Sequence, residues 1–415
     1  MEDRAHEPAA PGPRTTWLRA SAVMMTAILF SRILGQLRDT VIAYRFGQNE
    51  TTDAYRAAFQ LPDLLFFMVA GGALSSALIP VFSEYWNSGR KEEAWRVYSS
   101  VTNIMIGILL ALVVIGEAIP YPIIRFMFPG FDAGRLDLTV QLTRIVLPAQ
   151  IFFLLGGLMV STLYARHHFL IPALGPNIYN LGIIFGGIVL AGPLGIAGLA
   201  WGALLGAFLG NVLLPFWVMK RMGSHHLLVW DTRMEGTRQV FRLMIPVMLG
   251  LSLPGIYMLI LRVLASWLQA GAISALDNAN RQMQAPLGIA GQAIALAIFP
   301  TLAELAGKGD RAGLRGVLRE GLQLVWYITL PATALLLVFA PDIGRVLLQY
   351  GKFGAADTEM VAAALRMFAL GLFAWSGQAL IARAFFSLKD SLTPMLIGSA
   401  VTAVFVPMAW MLMRP

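Results

Sequence analysis

A short charged segment inside the first apolar stretch decides how this chain folds, and it reads Ser31-Arg32-Ile33-Leu34-Gly35-Gln36-Leu37-Arg38-Asp39. The apolar residues on either side predict a helix long enough to cross a membrane. An ionisable side chain at the centre of a bilayer costs about 3 kcal/mol on insertion scales, so such residues tend to face a bundle interior or a wet cavity. Arg32 and Asp39 share one face of that helix. The segment is either a cationic lining for an anionic substrate or an arginine–aspartate pair that only holds helices together.

The composition is that of a membrane protein. Of the 415 residues, 57% are hydrophobic and 13% are charged, whereas about 25% of the residues of a soluble domain are charged. Apolar runs of about 20 residues predict spanning helices and not barrel strands. The net charge of +8 fits basic loops beside anionic lipid, so we expect membrane lipid and no nucleic acid as a partner. The chain has no cysteine, which excludes disulfides and thiolate chemistry.

The apolar pattern predicts an all-α polytopic membrane protein with about eleven transmembrane helices. The predicted spans are 20–46, 57–83, 99–119, 142–164, 172–192, 194–219, 240–268, 273–302, 319–340, 361–386 and 392–412. We expect residues 1–19 to be a disordered tail, 20–225 to form a lobe of six helices, and 226–415 to form a lobe of five. Basic residues in the connecting loops favour a cytoplasmic N-terminus, because sixteen lie on that side and eight on the other.

The two predicted lobes repeat one pattern. Span two ends in Ile79-Pro80-Val81-Phe82-Ser83-Glu84, and span eight, 220 residues later, ends in Phe299-Pro300-Thr301-Leu302-Ala303-Glu304. Six spans separate the copies, so both face the same way, as in transporters with parallel repeats and a central site between the lobes. The second copy stops after its fifth span, so we expect its sixth helix to be missing.

The residue pattern does not favour an enzyme. Gly307-Lys308 and Gly351-Lys352 lack the remainder of a phosphate-binding loop. The adjacent histidine pairs, His167-His168 and His225-His226, fall in predicted cytoplasmic loops and are expected to be solvated, not metal ligands. We therefore expect no catalytic residues, no metal and no cofactor. Ion pairing is one interpretation of the intramembrane aspartates: Asp39 with Arg38, and Asp277 with Arg281 at i+4.

Motifs along nearly the whole chain resemble one known family. They are Ser31-Arg32-Ile33-Leu34-Gly35 with Arg38-Asp39, Thr52-Asp53-Ala54-Tyr55, Leu61-Pro62-Asp63-Leu64-Leu65, Ile79-Pro80-Val81-Phe82-Ser83-Glu84, Phe169-Leu170-Ile171-Pro172 with Asn180, Gln349-Tyr350-Gly351-Lys352-Phe353 and Arg383-Ala384-Phe385-Phe386-Ser387. In this order they resemble the MurJ (MviN) family of lipid II flippases. The resemblance implies a MOP-superfamily fold, with two helical lobes around a central cationic cavity and additional C-terminal helices.

The resemblance also implies a function. It is the flipping of lipid II, an undecaprenyl-pyrophosphate-linked peptidoglycan precursor, from the inner to the outer leaflet of the bacterial inner membrane by alternating access. That step serves cell-wall biogenesis and cell shape, and it makes lipid II a partner, with cell-wall synthesis proteins as further candidates. The implied substrate-binding residues are Arg32, Arg38, Asp39, Asp53 and Arg281, with Ser31 as an accessory candidate. Arg56 and Arg262 are extra to the family pattern and are further accessory candidates. Arginine suits the task because its planar fork pairs with phosphate oxygens.

Several positions depart from the family pattern. Phe66 and Phe67 stand where the family usually has paired arginines, Gly71 stands for a glutamate, and Gln60 and Gln284 stand for charged residues. The family's last three helices are also expected to be missing. Two alternatives therefore stay open: a transporter of another polyprenyl-linked oligosaccharide or lipid, and a non-transporting membrane scaffold.

Overall fold

A computed structural model describes residues 13–69, 73–166, 168–388, 390 and 392–412, and every regular element among them is a helix. The α-helices are α1 (Pro13–Phe46), α2 (Glu50–Ala58), α3 (Gln60–Val69), α4 (Ala73–Asn87), α5 (Lys91–Ala118), α6 (Pro120–Met127), α7 (Ala133–Val146), α8 (Ala149–Ala165), α9 (Leu170–Phe185), α10 (Ala191–Leu194), α11 (Ala197–Ala207), α12 (Leu214–Arg221), α13 (Glu235–Ala265), α14 (Ala272–Pro286), α15 (Ala293–Gly307), α16 (Arg311–Leu348), α17 (Ala355–Ser387) and α18 (Leu392–Leu412). Three π-helical segments are Gly186–Leu190, Phe208–Leu213 and Leu287–Gln292.

The predicted all-helical membrane fold is confirmed. Each of the eleven predicted spans coincides with helical residues. Seven described stretches are long and apolar enough to cross a membrane, and these are Lys91–Ala118, Ala133–Ala165, Leu170–Leu194, Ala197–Arg221, Arg311–Leu348, Ala355–Ser387 and Leu392–Leu412. The other four spans lie in α1, in α3 with α4, in α13, and in α14 with α15. Residues 13–19 of the predicted tail are helical and belong to α1, and residues 1–12 lie outside the described residues.

The chain divides into two compact units, each assembled from three separate stretches. Unit 1 comprises Met1–Arg38, Pro62–Ala118 and Ile145–Leu251, and unit 2 comprises Asp39–Leu61, Ile119–Arg144 and Ser252–Pro415. The boundary within α1 falls between Arg38 and Asp39, so adjacent charged residues belong to different units. The division into lobes at 225/226 follows chain order and stays a prediction.

Close backbone packing of α9 against α11 organises unit 1. A Cβ atom added to Gly182 would lie 2.5 Å from the carbonyl oxygen of Gly202, so glycine is needed there for the helices to approach this closely. Small residues serve this purpose in membrane helices, where van der Waals packing drives association in place of the hydrophobic effect. The contact holds α9, and with it Asn180, in a fixed position within the unit.

An apolar face of α14 anchors that helix in unit 2. Ala275, Ala279 and Met283 recur at intervals of four residues and are buried in a cluster with side chains of α16 and α17. At about 100° per residue, Asp277 and Arg281 project from the opposite side of the helix. The packing of α14 therefore presents its charged side chains away from the apolar cluster.

Candidate functional site

Two arginines from different helices converge on one buried aspartate in unit 2. The Nε atom of Arg281 on α14 lies 2.7 Å from Oδ2 of Asp39 on α1. An Nη2 atom of Arg56 on α2 lies 3.6 Å from Oδ1 of the same carboxylate and donates a hydrogen bond of 3.0 Å to Oδ1 of Asn278. We call Asp39, Arg56, Asn278 and Arg281 the Asp39 cluster. It joins three helices that are far apart in sequence.

The Asp39 cluster combines a buried base with a more exposed tip. Asp39 and Arg56 are 2% and 8% exposed, whereas the side chain of Arg281 is 42% exposed. With all three groups ionised, one carboxylate faces two guanidinium groups, and the cluster carries an excess positive charge. A partly exposed guanidinium held by a carboxylate can pair with the oxygens of a phosphate. The arrangement can hold an anion, and it contains no nucleophile and base in catalytic contact.

A second arginine–aspartate pair in unit 2 has no net charge, because one guanidinium pairs with one carboxylate. Arg262 on α13 donates from Nε and Nη2 to the two carboxylate oxygens of Asp277, at 3.2 and 3.1 Å, and from Nη1 to the Gln60 side-chain oxygen at 2.9 Å. We call Arg262 and Asp277 the Asp277 pair. The predicted pairing of Asp277 with Arg281 is wrong, because the fork of Arg262 reaches both carboxylate oxygens at once while Arg281 contacts Asp39.

Asp53 caps the helix that carries Arg281. Its two carboxylate oxygens accept hydrogen bonds from the backbone N–H groups of Gly271 and Ser274, at 2.7 and 2.8 Å. These N–H groups belong to the first turn of α14 and its cap, which have no partner within the helix. Asp53 lies on the short helix α2, outside the membrane-length helices, and burial raises its pKa to about 6 against the lowering effect of those hydrogen bonds. The geometry gives Asp53 a positioning role.

Arg38 belongs to a polar group in unit 1. Its Nη1 donates to the side-chain oxygen of Asn180 at 3.0 Å, and the Asn180 amide contacts the backbone oxygen and Oγ of Ser31 at 3.4 Å each. Asn180 is 7% exposed, so this amide fixes both Ser31 and Arg38 from α9. Arg32 is exposed, and no hydrogen bond or ion pair joins it to another residue in the described part of the chain.

Aromatic packing occupies the position of the family's paired arginines. The ring of Phe66 lies edge-on to Phe153 at 6.2 Å between centroids, and Phe153 lies edge-on to Tyr179 at 5.3 Å. Such edge-to-face pairs add to burial through the ring quadrupoles. This region of unit 1 therefore carries an apolar chain of rings. The side chain of Phe67 lies outside the described residues.

The structure brings together part of the predicted site. Asp39, Arg56 and Arg281 meet in one cluster, Arg262 sits in the separate Asp277 pair, and Asp53 caps α14. Sequence reasoning missed three neutral partners, which are Gln60, Asn180 and Asn278. The available signal was indirect: Arg56 and Arg262 each need a partner in an apolar environment, and amide side chains offer one.

The helical fold is similar to that of transporters of the MOP superfamily. An inward-facing multidrug transporter of the MATE family in that superfamily is similar with a TM-score of 0.66 over 92% of this chain and 88% of its own, at 15% identity. A MOP-superfamily transporter from Pyrococcus furiosus gives 0.61 over 96% and 88%, at 16% identity. At such identities the likeness concerns the fold alone.

Within that superfamily, the chain belongs to the family of the lipid II flippase MurJ, whose sequence model matches residues 42–415. The match begins after the charged segment of α1, so it does not depend on that segment. A probable lipid II flippase MurJ of Buchnera aphidicola subsp. Acyrthosiphon pisum is 31% identical over 380 residues, which cover 90% of this chain and 74% of the relative. The lipid II flippase MurJ of Burkholderia cenocepacia is 28% identical over 394 residues, covering 93% and 76%. A solved MurJ in an inward closed conformation gives a TM-score of 0.79 at 26% identity, over 93% of this chain and 80% of that one.

Proposed function

We propose that this chain flips lipid II across the bacterial inner membrane by alternating access and so serves peptidoglycan synthesis. Family membership supports the substrate class. The observation that carries the proposal is the Asp39 cluster, in which an exposed arginine is held on a buried aspartate beside a second arginine. Lipid II offers a pyrophosphate, and a guanidinium fork pairs well with phosphate oxygens.

We assign direct contact with the pyrophosphate to Arg281 of unit 2, and we keep Arg32 and Arg38 as candidate substrate-binding residues of unit 1. Arg32 and Arg281 have exposed side chains, and Arg38 is half-buried. Arg56 acts through Asp39, because it is almost fully buried. The neutral Asp277 pair makes Arg262 a structural residue. Asp53 keeps α14 in place, and Ser31 keeps Asn180 beside Arg38.

We further propose that the N-terminus lies on the cytoplasmic side, since the loops on that side carry most of the basic residues. Proteins of cell-wall synthesis that use the exported precursor are candidate partners, because they must act on the product at the outer leaflet. The predicted two-lobe arrangement is part of the same proposal.

Complementation of bacteria depleted of their own lipid II flippase tests this function. We expect wild type and Arg366→Ala to sustain growth, since Arg366 pairs with Glu359 and the Leu337 carbonyl oxygen and not with a member of the Asp39 cluster. Arg281→Ala should fail, and Arg281→Lys should rescue weakly, because lysine keeps the charge and loses the fork. Growth on Arg281→Ala equal to wild type, at matched membrane levels, would refute the assigned site. Failure of wild type at those levels would refute the lipid II function.

A second candidate is transport of another polyprenyl-linked oligosaccharide. The observation that favours it is the Phe66–Phe153–Tyr179 ring chain, where the resembled family has positive charge. Reconstituted vesicles loaded with lipid II or with a different undecaprenyl-pyrophosphate glycan separate the two. Faster flipping of lipid II supports the first proposal, and selective flipping of the other glycan supports the second. A chain that moves neither while correctly folded would be the non-transporting scaffold.

A further inference from the structure

The connection between α12 and α13 does not run free in solvent but follows the surface of α5 within unit 1. The backbone N–H of Leu227 donates to Oγ of Ser99 at 3.0 Å. The Asn103 amide donates to the carbonyl oxygens of Leu227 and Val229, both at 2.9 Å. Further along, the N–H of Asp231 donates to Oγ of Ser100 at 3.3 Å. We call residues 224–231 the α5 strap.

Side chains of the α5 strap strengthen its attachment. The ring Nε2 of His226 lies 3.0 Å from Oδ1 of Asn103, so this loop histidine is exposed, as the sequence predicted, and also contacts α5. The Asp231 carboxylate pairs with Arg96 at 3.1 Å. The ring of Trp230 lies over Gly107, where an added Cβ atom would come within 2.8 Å of the indole. The strap is therefore attached to α5 along residues 226–231.

The attachment points lie on the apolar part of α5, which is long enough to cross a membrane. Residues 97–116 carry no charged side chain, and at 1.5 Å per residue they cover about 30 Å, the thickness of a hydrocarbon core. Asn103 lies about 6 Å, and Gly107 about 12 Å, beyond Ser99 along the helix axis. The strap backbone thus reaches the depth of the acyl-chain boundary, and the Trp230 ring reaches further.

The strap combines hydrogen-bonded backbone groups with exposed apolar side chains, as a segment in contact with lipid requires. Irregular backbone is tolerated in a membrane only where its polar groups find partners, and Ser99, Ser100 and Asn103 supply such partners. Leu228 and Trp230 are nevertheless 89% and 60% exposed within the chain. Apolar side chains on a segment bound at membrane depth fit acyl chains, and tryptophan favours the interface between head groups and hydrocarbon.

We propose that the α5 strap is a re-entrant lipid-binding element, with Leu228 and Trp230 inserted into the leaflet on the side of the α5 N-terminus. Basic residues flank the strap, with Lys220 and Arg221 before it and Arg233 and Arg238 after it. They suit the anionic head groups of that leaflet. The strap anchors the α12–α13 connection to the bilayer as well as to α5, independently of the substrate that the protein carries.

Because the chain has no cysteine, a single introduced cysteine can be labelled specifically to test this proposal. Leu228→Cys is labelled with the environment-sensitive fluorophore NBD, and the protein is reconstituted into vesicles of phosphatidylcholine and phosphatidylglycerol. We expect emission shifted to shorter wavelength, strong quenching by lipids with a doxyl group near the head group, and weak quenching by aqueous iodide. The matched control is Thr232→Cys in the same connection, which is exposed and lies past the strap; its label should be quenched by iodide.

Two outcomes would overturn the proposal. A Leu228→Cys label quenched by iodide as strongly as the Thr232→Cys label would place the strap in water. A short-wavelength emission without quenching by doxyl lipid would mean that protein, and not lipid, covers the site. Adding Asn103→Ala to the Leu228→Cys variant removes the central tie, so its label should shift toward the iodide-accessible state. No shift in that variant would refute the role of Asn103 in holding the strap.

Discussion

The two arginine–aspartate groups of unit 2 use the same residue types to opposite effect. In the Asp277 pair, one guanidinium meets one carboxylate in a two-pronged contact, and the charges cancel. In the Asp39 cluster, two guanidinium groups share one carboxylate, and one of them, Arg281, keeps a 42% exposed side chain. The number of arginines per carboxylate and their exposure therefore decide whether an intramembrane arginine is available to a ligand. An arginine in an apolar helix is not by itself a binding residue.

The largest expected effect follows from removing the shared carboxylate. Asp39→Asn leaves Arg56 buried without its counter-ion, which should lower the free energy of unfolding by about 3–5 kcal/mol. The measurement is thermal unfolding in detergent, monitored as the fraction of protein that remains monodisperse at each temperature. Asp342→Asn is the control, because Asp342 is exposed in its pair with Arg345 and should change stability little. Equal midpoints for the two variants would contradict the proposed importance of Asp39.

A smaller loss of stability is expected from a substitution in the Asp277 pair, and a second substitution should restore most of it. Arg262→Met leaves Asp277 buried and uncompensated, which should cost about 3 kcal/mol. The double variant Arg262→Met with Asp277→Leu removes both charges and should recover most of that stability, since apolar replacements of a complete buried pair are often tolerated. The double variant should also retain transport. A double variant as unstable as the single one, or one that is stable but inactive, would show that the pair is more than structural.

The smallest expected effect concerns the cap of α14. Asp53→Ala removes two hydrogen-bond acceptors from the helix N-terminus and should cost about 1–2 kcal/mol. Asp53→Asn keeps one acceptor oxygen and should lie between Asp53→Ala and wild type. Thermal unfolding measures the stability, and the apparent affinity for lipid II reports whether Arg281 moves with its helix. A contact of Asp53 with substrate would instead lower affinity without lowering stability.

The charge pattern of the sequence predicts which residues matter better than it predicts their partners. The helical spans follow from apolar length alone, and the charged segment of α1 signals its importance through the cost of charge in a bilayer. Spacing within one helix tells which residues share a face, and that rule suggested Arg281 for Asp277. The actual partner is Arg262 on α13, 15 residues earlier. The choice between them depends on how α13 packs against α14, which helical periodicity does not contain.

Neutral partners were the hardest to predict. Asn278 accepts a hydrogen bond from Arg56, which is 222 residues away in sequence. An asparagine in a helix carries no charge that would mark it as a partner. The contact of Asp53 with Gly271 and Ser274 also joins residues about 220 positions apart, and nothing in the local sequence marks it. Each of the two units is built from three separate stretches of the chain. This division depends on tertiary contacts, so the order of apolar spans in the sequence did not predict it.

The cap that Asp53 forms has an electrostatic consequence for α14. A helix N-terminus is a natural anion receptor, because its unpaired N–H groups and the macrodipole both attract negative charge. Here an internal carboxylate already occupies that receptor, at 2.7 and 2.8 Å. Under the proposed function, we therefore expect an incoming phosphate to be recognised from the side of this helix, by the guanidinium of Arg281. Recognition then depends on a side chain that rotamer changes can reposition, and not on a fixed backbone cradle, so a substrate can be released without unwinding the helix.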